Sequence, residues 1–256
     1  MRLYHLAIAA IMCCTGPVAS GSERSDEIPV LIASQTGADG KDLGVAPTVA
    51  GIVQLLADES GLKLVPRAYP WRRAQMLAES GKGLLYGAAA TPERLPVFAF
   101  SRPLYMVNQW LVTDAARPFP YQGWADLRGK TISINSGSKF SAEFEERKNV
   151  LFTVTENSDT VSSRLKMLAL GRVDALLLDS YRNSTRFEER LNCVHAGVGK
   201  FTVLRKPMAM EPLLIAVPKS SPLMDTLPVL NEAIERLDKS QGIHKLLEAR
   251  ASGPTC

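Results

Sequence analysis

Two segments of this sequence place side chains of opposite charge just after apolar runs. Residues 84–88 lead into Thr91 and Arg94, and residues 173–178 lead into Asp179. A guanidinium binds a carboxylate through two parallel hydrogen bonds, and a carboxylate pairs with an ammonium. Together the two segments predict a pocket for a small solute that carries both charges.

The elements that would position these side chains form two similar series. In the first, strands are predicted at residues 29–33, 62–65 and 84–88, with helices at 48–60 and 70–80. In the second, strands are predicted at 131–134, 151–154 and 173–178, with helices at 138–147 and 159–170. Alternating strands and helices predict parallel sheets with helical crossovers, so the fold class is α/β.

Two such series predict two lobes. The first lobe is expected at residues 28–112 and 213–256, and the second at 113–212. A strand at 213–217 would return the chain to the first lobe, and helices at 224–240 and 243–251 would close it. The crossings are predicted at 111–114 and 206–213, and the cleft between the lobes is the expected ligand site.

Open α/β sheets bind ligands at the carboxyl ends of their strands, where helix N-termini present N–H groups. Thr91 and Arg94 follow a strand of the first lobe, and Gly137 and Ser138 follow one of the second. Two alternatives stay open. Asp179 could instead cap a helix that starts at the next residue, and Arg94 could form a surface ion pair with its neighbour Glu93.

Three motifs in this order resemble bacterial extracellular solute-binding protein family 3, the periplasmic receptors of polar amino-acid ABC transporters. They are GAAATPER at 87–94, FSRPLY at 100–105 and GRVDALLLD at 171–179. The resemblance implies a two-lobed, type II periplasmic-binding-protein fold. Each lobe would be a doubly wound sheet with helices on both faces, and two hinge crossings would join the lobes.

The resemblance also assigns roles to residues. Arg94 and Thr91, with backbone groups near Ser138, would bind the carboxylate of the ligand, and Asp179 would bind its α-ammonium. The remaining candidate ligand-binding residues are Ala89, Gly137, Trp71 and Arg72.

The chain also departs from the family. It has Gly87 and Ala89 where the family often has serines, and residues 34–37 read SQTG where the family often has a stacking aromatic. Trp71 and Arg72 could compensate with an apolar wall and a second cation, although a tryptophan at such a position is more often part of the core.

The resulting functional prediction is a binding protein, not an enzyme. It would capture a carboxylate-bearing solute, above all an amino acid, by hinge closure, and deliver it to a membrane ABC permease as a monomer without a cofactor. One alternative is a periplasmic enzyme of the cyclohexadienyl dehydratase type, with Glu93, Asp179 or Glu211 as general acid. The other is an extracytoplasmic sensor.

Composition and motifs exclude other classes. The 256 residues are 46% hydrophobic and 22% charged, as is typical of globular proteins. The net charge of +4 is spread along the chain, which argues against nucleic-acid binding. The sequence has no phosphate loop or dinucleotide fingerprint, and His195 and His244 lack the partner spacing of a triad or metal site.

Residues 1–20 are predicted to be a signal peptide for export to the periplasm. Arg2 precedes an apolar run at 3–14, and small residues favour cleavage near Ser20. Lipidation at Cys13 or Cys14 is an alternative, which the large Met12 disfavours.

Cleavage would leave two cysteines, Cys193 and Cys256. An exported compartment permits a disulfide between them, but sequence alone cannot bring their α-carbons within bridging distance. Two unpaired thiols therefore stay an open alternative.

Overall fold

The computed structural model of the protein describes residues 27–37, 39–156 and 160–252. The strands of this part are β1 (Ile28–Ala33), β2 (Gln35–Thr36), β3 (Asp42–Gly44), β4 (Leu64–Tyr69), β5 (Leu84–Tyr86), β6 (Phe98–Phe100), β7 (Tyr105–Asp114), β8 (Thr131–Ser133), β9 (Thr153–Thr155), β10 (Ala175–Ser180), β11 (Phe201–Val203), β12 (Ala209–Leu213) and β13 (Ile215–Pro218). The helices are α1 (Pro47–Ser60), α2 (Trp71–Glu79), α3 (Ala142–Arg147), α4 (Val161–Ala169), α5 (Ser184–Val194), α6 (Thr226–Ser240) and α7 (Gly242–Ser252). Short 3₁₀ turns lie at Trp124–Leu127 and Pro222–Asp225.

The first lobe is built on a five-stranded sheet with the order β4-β1-β5-β13-β6. The strands β4, β1 and β5 are parallel, and β13 runs antiparallel to both of its neighbours. Helices α1, α6 and α7 pack on one face of this sheet, and α2 packs on the other. Of the apolar residues of α1 at helical spacing, Ile52, Val53 and Leu56 are buried against the sheet, as their pattern predicts, and Val49 is partly buried.

The second lobe is built on a sheet with the order β11-β7-β10-β8-β9, with β12 also paired to β7. The aromatic side chains Phe140, Phe144 and Phe152 pack on one face. Helices α4 and α5 cover the other face through Leu165, Leu168 and Leu191. Each sheet therefore has helices on both faces, as expected.

The long strand β7 corrects the predicted lobe boundary. It pairs along its length with β10, β11 and β12, so residues 105–112 belong to the second sheet and not to the first lobe. The first crossing lies at residues 101–104, before β7, and not at 111–114. At the second crossing, Leu214 alone separates β12 from β13.

The two crossing segments are hydrogen-bonded to each other. The Ile215 N–H donates to Ser101 Oγ at 3.0 Å, and the Leu104 N–H donates to the Leu213 carbonyl at 2.9 Å. The chain thus passes between the lobes twice, through adjacent strands that support each other.

A second correction concerns the helix predicted at 138–147. Helix α3 begins only at Ala142, and the hydroxyl of Ser141 caps it by accepting from the Phe144 N–H. Residues 136–137 form a turn instead, in which Gly137 has a φ of +73°, and residues 138–140 are irregular, with Phe140 buried in the core. A left-handed glycine and an inward-facing aromatic favour the turn over an earlier helix start.

Two predictions involve parts of the chain outside the described residues. The proposed signal peptide at residues 1–20 lies outside them, and so does Cys256. Cys193 is in a disulfide, and its pairing with Cys256 stays a prediction. No helix in the described ranges is long and apolar enough to cross a membrane.

Candidate functional site

The guanidinium of Arg94 is buried in the turn that follows β5. Only 8% of this residue is exposed. Its Nη2 donates to the side-chain oxygen of Gln75 at 2.8 Å, and its Nη1 donates to the carbonyl of Ala89 at 3.3 Å. The guanidinium also lies over the Trp71 ring, 5.8 Å from the ring centroid. Both hydrogen-bond partners are neutral.

The positive charge of Arg94 has no direct counter-ion within the described part of the chain. None of the ion pairs there includes Arg94, and Glu93 pairs instead with Lys139 at 3.4 Å. Burial lowers the pKa of Arg94, although the more distant charges of Glu79 and Glu93 oppose this shift. The surface ion pair with Glu93 that the sequence left open is therefore absent here. A buried, unpaired cation is stabilised by an anion that enters beside it.

Two further polar atoms near this guanidinium lack partners. The hydroxyl of Thr91 and the indole N–H of Trp71 are buried, and neither makes a hydrogen bond within the described ranges. Thr91 belongs to the same turn as Arg94, whose N–H donates to the Thr91 carbonyl at 2.9 Å. Since a buried polar atom without a partner costs free energy, a polar ligand that reached either atom would be favoured.

Trp71 and Arg72 differ in their environment. Trp71 packs with Leu31 and Leu85 in the core on one face of the first sheet. Arg72 is exposed, and its Cγ would lie only 3.1 Å from a Cβ added at Gly137. Trp71 is thus mainly a core residue with a free indole N–H, and Arg72 lies at the boundary between the lobes.

In the second lobe, the predicted backbone donors already have partners. The Gly137 N–H donates to the Glu156 carboxylate at 3.0 Å, and the Ser138 N–H donates to the Asn135 carbonyl at 3.0 Å. Because α3 begins only at Ala142, these groups do not lie at a helix N-terminus either. Glu156 occupies the position at Gly137 that the sequence assigned to a ligand carboxylate.

Asp179 lies within β10 and not at a helix start. Helix α5 begins later, and its cap is Asn183, which accepts from the Arg186 N–H at 2.9 Å. The capping alternative for Asp179 is therefore wrong. Asp179 stands opposite Gln109 of β7, on the face of the sheet that also carries Glu211 of β12.

The protein around Asp179 makes its carboxyl group a weaker acid than an ordinary aspartate. Its side chain is open to solvent, yet the surrounding protein raises its pKa to about 6 by desolvation. Arg164 opposes this shift and Glu211 adds to it. Burial also raises the pKa of Glu211. A cation next to either of these two carboxyl groups would stabilise its ionised form.

The lobes touch at the site. The Gln75 amide donates to the Gly137 carbonyl at 3.3 Å, and Lys139 pairs with Glu93 across the same boundary. The structure thus brings Ala89, Thr91 and Arg94 together in the first lobe, and Gly137 of the second lobe contacts Gln75, which bonds Arg94. Asp179 lies on the sheet of the second lobe, with no direct contact to Arg94 among the described residues.

Sequence reasoning missed Gln75 and Glu156. Gln75 follows Trp71 by four residues on α2, so both lie on the same face of the helix, and this spacing is the one signal that could have found it. Glu156 gives no local signal, because its partner lies 19 residues away.

The histidines and a second cavity lie apart from Arg94 in the part of the chain that the structure describes. His195 is buried with a pKa lowered by desolvation, and His244 pairs with Glu248 at 3.0 Å. Within the described ranges no three residues are grouped to hold a metal ion. A cavity of about 440 Å³ lies between Tyr105, Tyr181 and helices α6 and α7, away from Arg94.

No family model and no curated protein matches this chain. Solved structures do resemble it. The amino acid ABC transporter substrate-binding protein AbpA from Streptococcus pneumoniae, bound to L-arginine, is 20% identical with a TM-score of 0.69, over 88% of this chain and 94% of that one. A mutant of ArgBP from T. maritima is 23% identical with a TM-score of 0.68, over 88% of this chain and 94% of that one.

A third structure is that of the ancestral amino acid-binding protein AncCDT-1, described as a precursor of cyclohexadienyl dehydratase. It is 18% identical with a TM-score of 0.66, over 88% of this chain and 95% of that one. At these identities the likeness shows the fold. This chain has the two-lobed, type II periplasmic-binding-protein fold, which confirms the predicted fold class.

Proposed function

We propose that this protein is the solute-binding component of an ABC transporter and that it binds a small carboxylate-bearing solute, above all an amino acid. The observation that carries the proposal is the buried guanidinium of Arg94, which is bonded only to neutral groups. The solved structures described as amino acid-binding proteins of ABC transporters support it.

In the proposed mechanism the first lobe binds the carboxylate. Arg94 forms the ion pair, and the unpartnered hydroxyl of Thr91 donates a further hydrogen bond to the same anion. Gly137 and Ser138 contribute less than the sequence suggests, since their N–H groups have partners within the protein.

The second lobe then binds the amine through Asp179. Contacts from both lobes exist together only when the cleft is shut, so the solute shifts the population towards the closed form. That form would be presented to a membrane permease. In this proposal the protein is an exported, periplasmic monomer without a cofactor, and Cys193 pairs with Cys256.

The test is thermal unfolding of the mature protein in the presence of amino acids, organic acids and polyamines. A ligand at a hundred times its Kd stabilises the native state by about 2.7 kcal/mol. For a chain of this size that corresponds to a midpoint shift of roughly 5–10 °C. At least one amino acid should produce such a shift. A response to polyamines alone would contradict the proposed binding of a carboxylate.

One observation favours an enzyme as a second candidate. A carboxyl group with a pKa of about 6, as Asp179 has, is suited to general acid catalysis, and Glu211 lies on the same face of the sheet. The likeness to the dehydratase precursor agrees with this candidate. Incubation of the pure protein with prephenate or arogenate separates the two functions, because a binding protein leaves both compounds unchanged.

A further inference from the structure

We propose that Gln75 is a positioning residue that couples the two lobes. One end of its carboxamide holds the guanidinium of Arg94, and the other end holds the backbone of the second lobe at Gly137. For ligand binding this inference builds on the proposed function, but its effect on lobe closure does not depend on it.

The orientation of the Gln75 amide is fixed by its partners. A guanidinium can only donate, so the Arg94 Nη2 must face the side-chain oxygen of Gln75. A carbonyl can only accept, so the Gly137 oxygen must face the NH₂ group. Glutamine can serve both partners at once, whereas glutamate would offer no donor to the carbonyl at neutral pH and leucine would serve neither.

The second lobe is shaped to receive this side chain. Gly137 has a φ of +73°, and a Cβ added there would lie 3.0 Å from the Gln75 nitrogen and 3.1 Å from Arg72 Cγ. On the other side of Gly137, its N–H is held by the Glu156 carboxylate at 3.0 Å. A continuous series of hydrogen bonds therefore runs from Arg94 through Gln75 and Gly137 to Glu156.

This arrangement has a consequence for the ligand-free protein. The bond between Gln75 and Gly137 joins two groups of the protein itself, so it favours closure of the lobes in the ligand-free molecule as well. Loss of one such bond lowers the ratio of closed to open molecules by up to about ten-fold. A solute bound by Arg94 then meets a guanidinium whose orientation is already set.

The first measurement is the radius of gyration of the ligand-free mature protein by small-angle X-ray scattering. The variants are Gln75→Leu and Gln75→Glu, and the control is Gln54→Leu, at an exposed glutamine of α1 that bonds Asp58 within the same helix. Both variants at position 75 should have a larger radius of gyration than the wild type, and the control should not. Equal radii for all four proteins would overturn the inference.

The second measurement is the affinity of the same four proteins for the twenty common L-amino acids. The leucine variant should bind about ten-fold more weakly, since it loses hydrogen bonds and keeps the free charge of Arg94. The affinity of the glutamate variant should be at least about a hundred-fold lower than that of the wild type, because the new carboxylate pairs with Arg94 and competes with the solute. If Gln75 had a merely structural role, the glutamate variant would bind more tightly than the leucine variant, since glutamate is the more conservative change.

The outcomes separate this inference from the proposed function. If the wild type binds neither an amino acid nor an organic acid, the proposed function fails, and the scattering data still decide the role of Gln75 in closure. If the wild type binds an amino acid and both variants bind it equally well, the positioning role is wrong and the proposed function stands.

Discussion

Replacing Arg94 with methionine should weaken ligand binding and leave the ligand-free protein at least as stable. Methionine keeps the length of the side chain and packs well in irregular apolar surroundings. The change removes the guanidinium that lies over Trp71 and bonds Gln75 and Ala89. A residue that serves only the fold would have the opposite effect, because its loss would lower the free energy of unfolding.

The expected change in the free energy of unfolding follows from the contacts of Arg94. Two net hydrogen bonds are worth about 2 kcal/mol, and the stacking on Trp71 adds about 0.5–1 kcal/mol. Against this, keeping an ion out of water costs several kcal/mol. We therefore expect the free energy of unfolding of the ligand-free protein to rise by about 1 kcal/mol or to stay unchanged.

The magnitude for binding follows from the proposed ion pair. Removing one partner of a desolvated charge pair costs about 2–5 kcal/mol, which is roughly 30- to 5000-fold in Kd. Urea unfolding measures the free energy of unfolding. Calorimetric titration measures Kd, with the amino acid that stabilises the wild type most. Arg67→Met is the matched control, since this exposed arginine of β4 pairs only weakly with Glu27.

The reasoning would be refuted by a variant that binds the amino acid with unchanged affinity. It would equally be refuted by an Arg94→Met protein that is destabilised by more than about 2 kcal/mol, because the guanidinium would then be a structural group whose own contacts outweigh its burial.

Three further predictions concern single residues. Desolvation raises the pKa of Asp179 in the folded protein to about 6, above the ordinary value of an aspartate. Asp179 should therefore add to the stability of the ligand-free protein as the pH falls from 7 towards 4, and the wild type should be stabilised relative to Asp179→Asn over this range in urea unfolding at several pH values. A difference between the two proteins that does not change with pH would contradict this. In Gly83→Ala the new Cβ would lie 2.5 Å from a carbonyl oxygen of β1, so calorimetry should show that the free energy of unfolding falls by about 1–3 kcal/mol. Gly197→Ala is the control and should show no such fall, because the space around Gly197 is open. Tyr86→Phe removes the 2.9 Å hydrogen bond between the Tyr86 and Tyr105 hydroxyls, so the melting midpoint should fall by about 2–4 °C; an unchanged midpoint would mean that the bond contributes nothing.

Much of the fold was predictable from local patterns. The helical spacing of apolar residues in α1 and the short apolar runs of β1 and β5 identify these elements, because each pattern depends on neighbouring residues only. The lobe boundary was not predictable in this way. Strand β7 is apolar along much of its length, and nothing local distinguishes a strand that ends at the hinge from one that begins there.

The site was predictable to a smaller extent. Arg94 and Thr91 stand out through their position after a strand, and the structure places both in one buried turn. Gln75 and Glu156 did not stand out, because their importance arises from contacts with Gly137, which lies 62 and 19 residues away from them. Asp179 remained ambiguous from sequence, since an aspartate at a strand end suits a cap as well as a ligand contact.

The most direct test of the central claim is a crystal structure of the mature protein with the amino acid that stabilises it most. The account predicts the carboxylate of this amino acid within hydrogen-bonding distance of the Arg94 guanidinium and its amine bonded to Asp179, between closed lobes. A carboxylate bound elsewhere, with Arg94 still bonded only to Gln75 and Ala89, would contradict it.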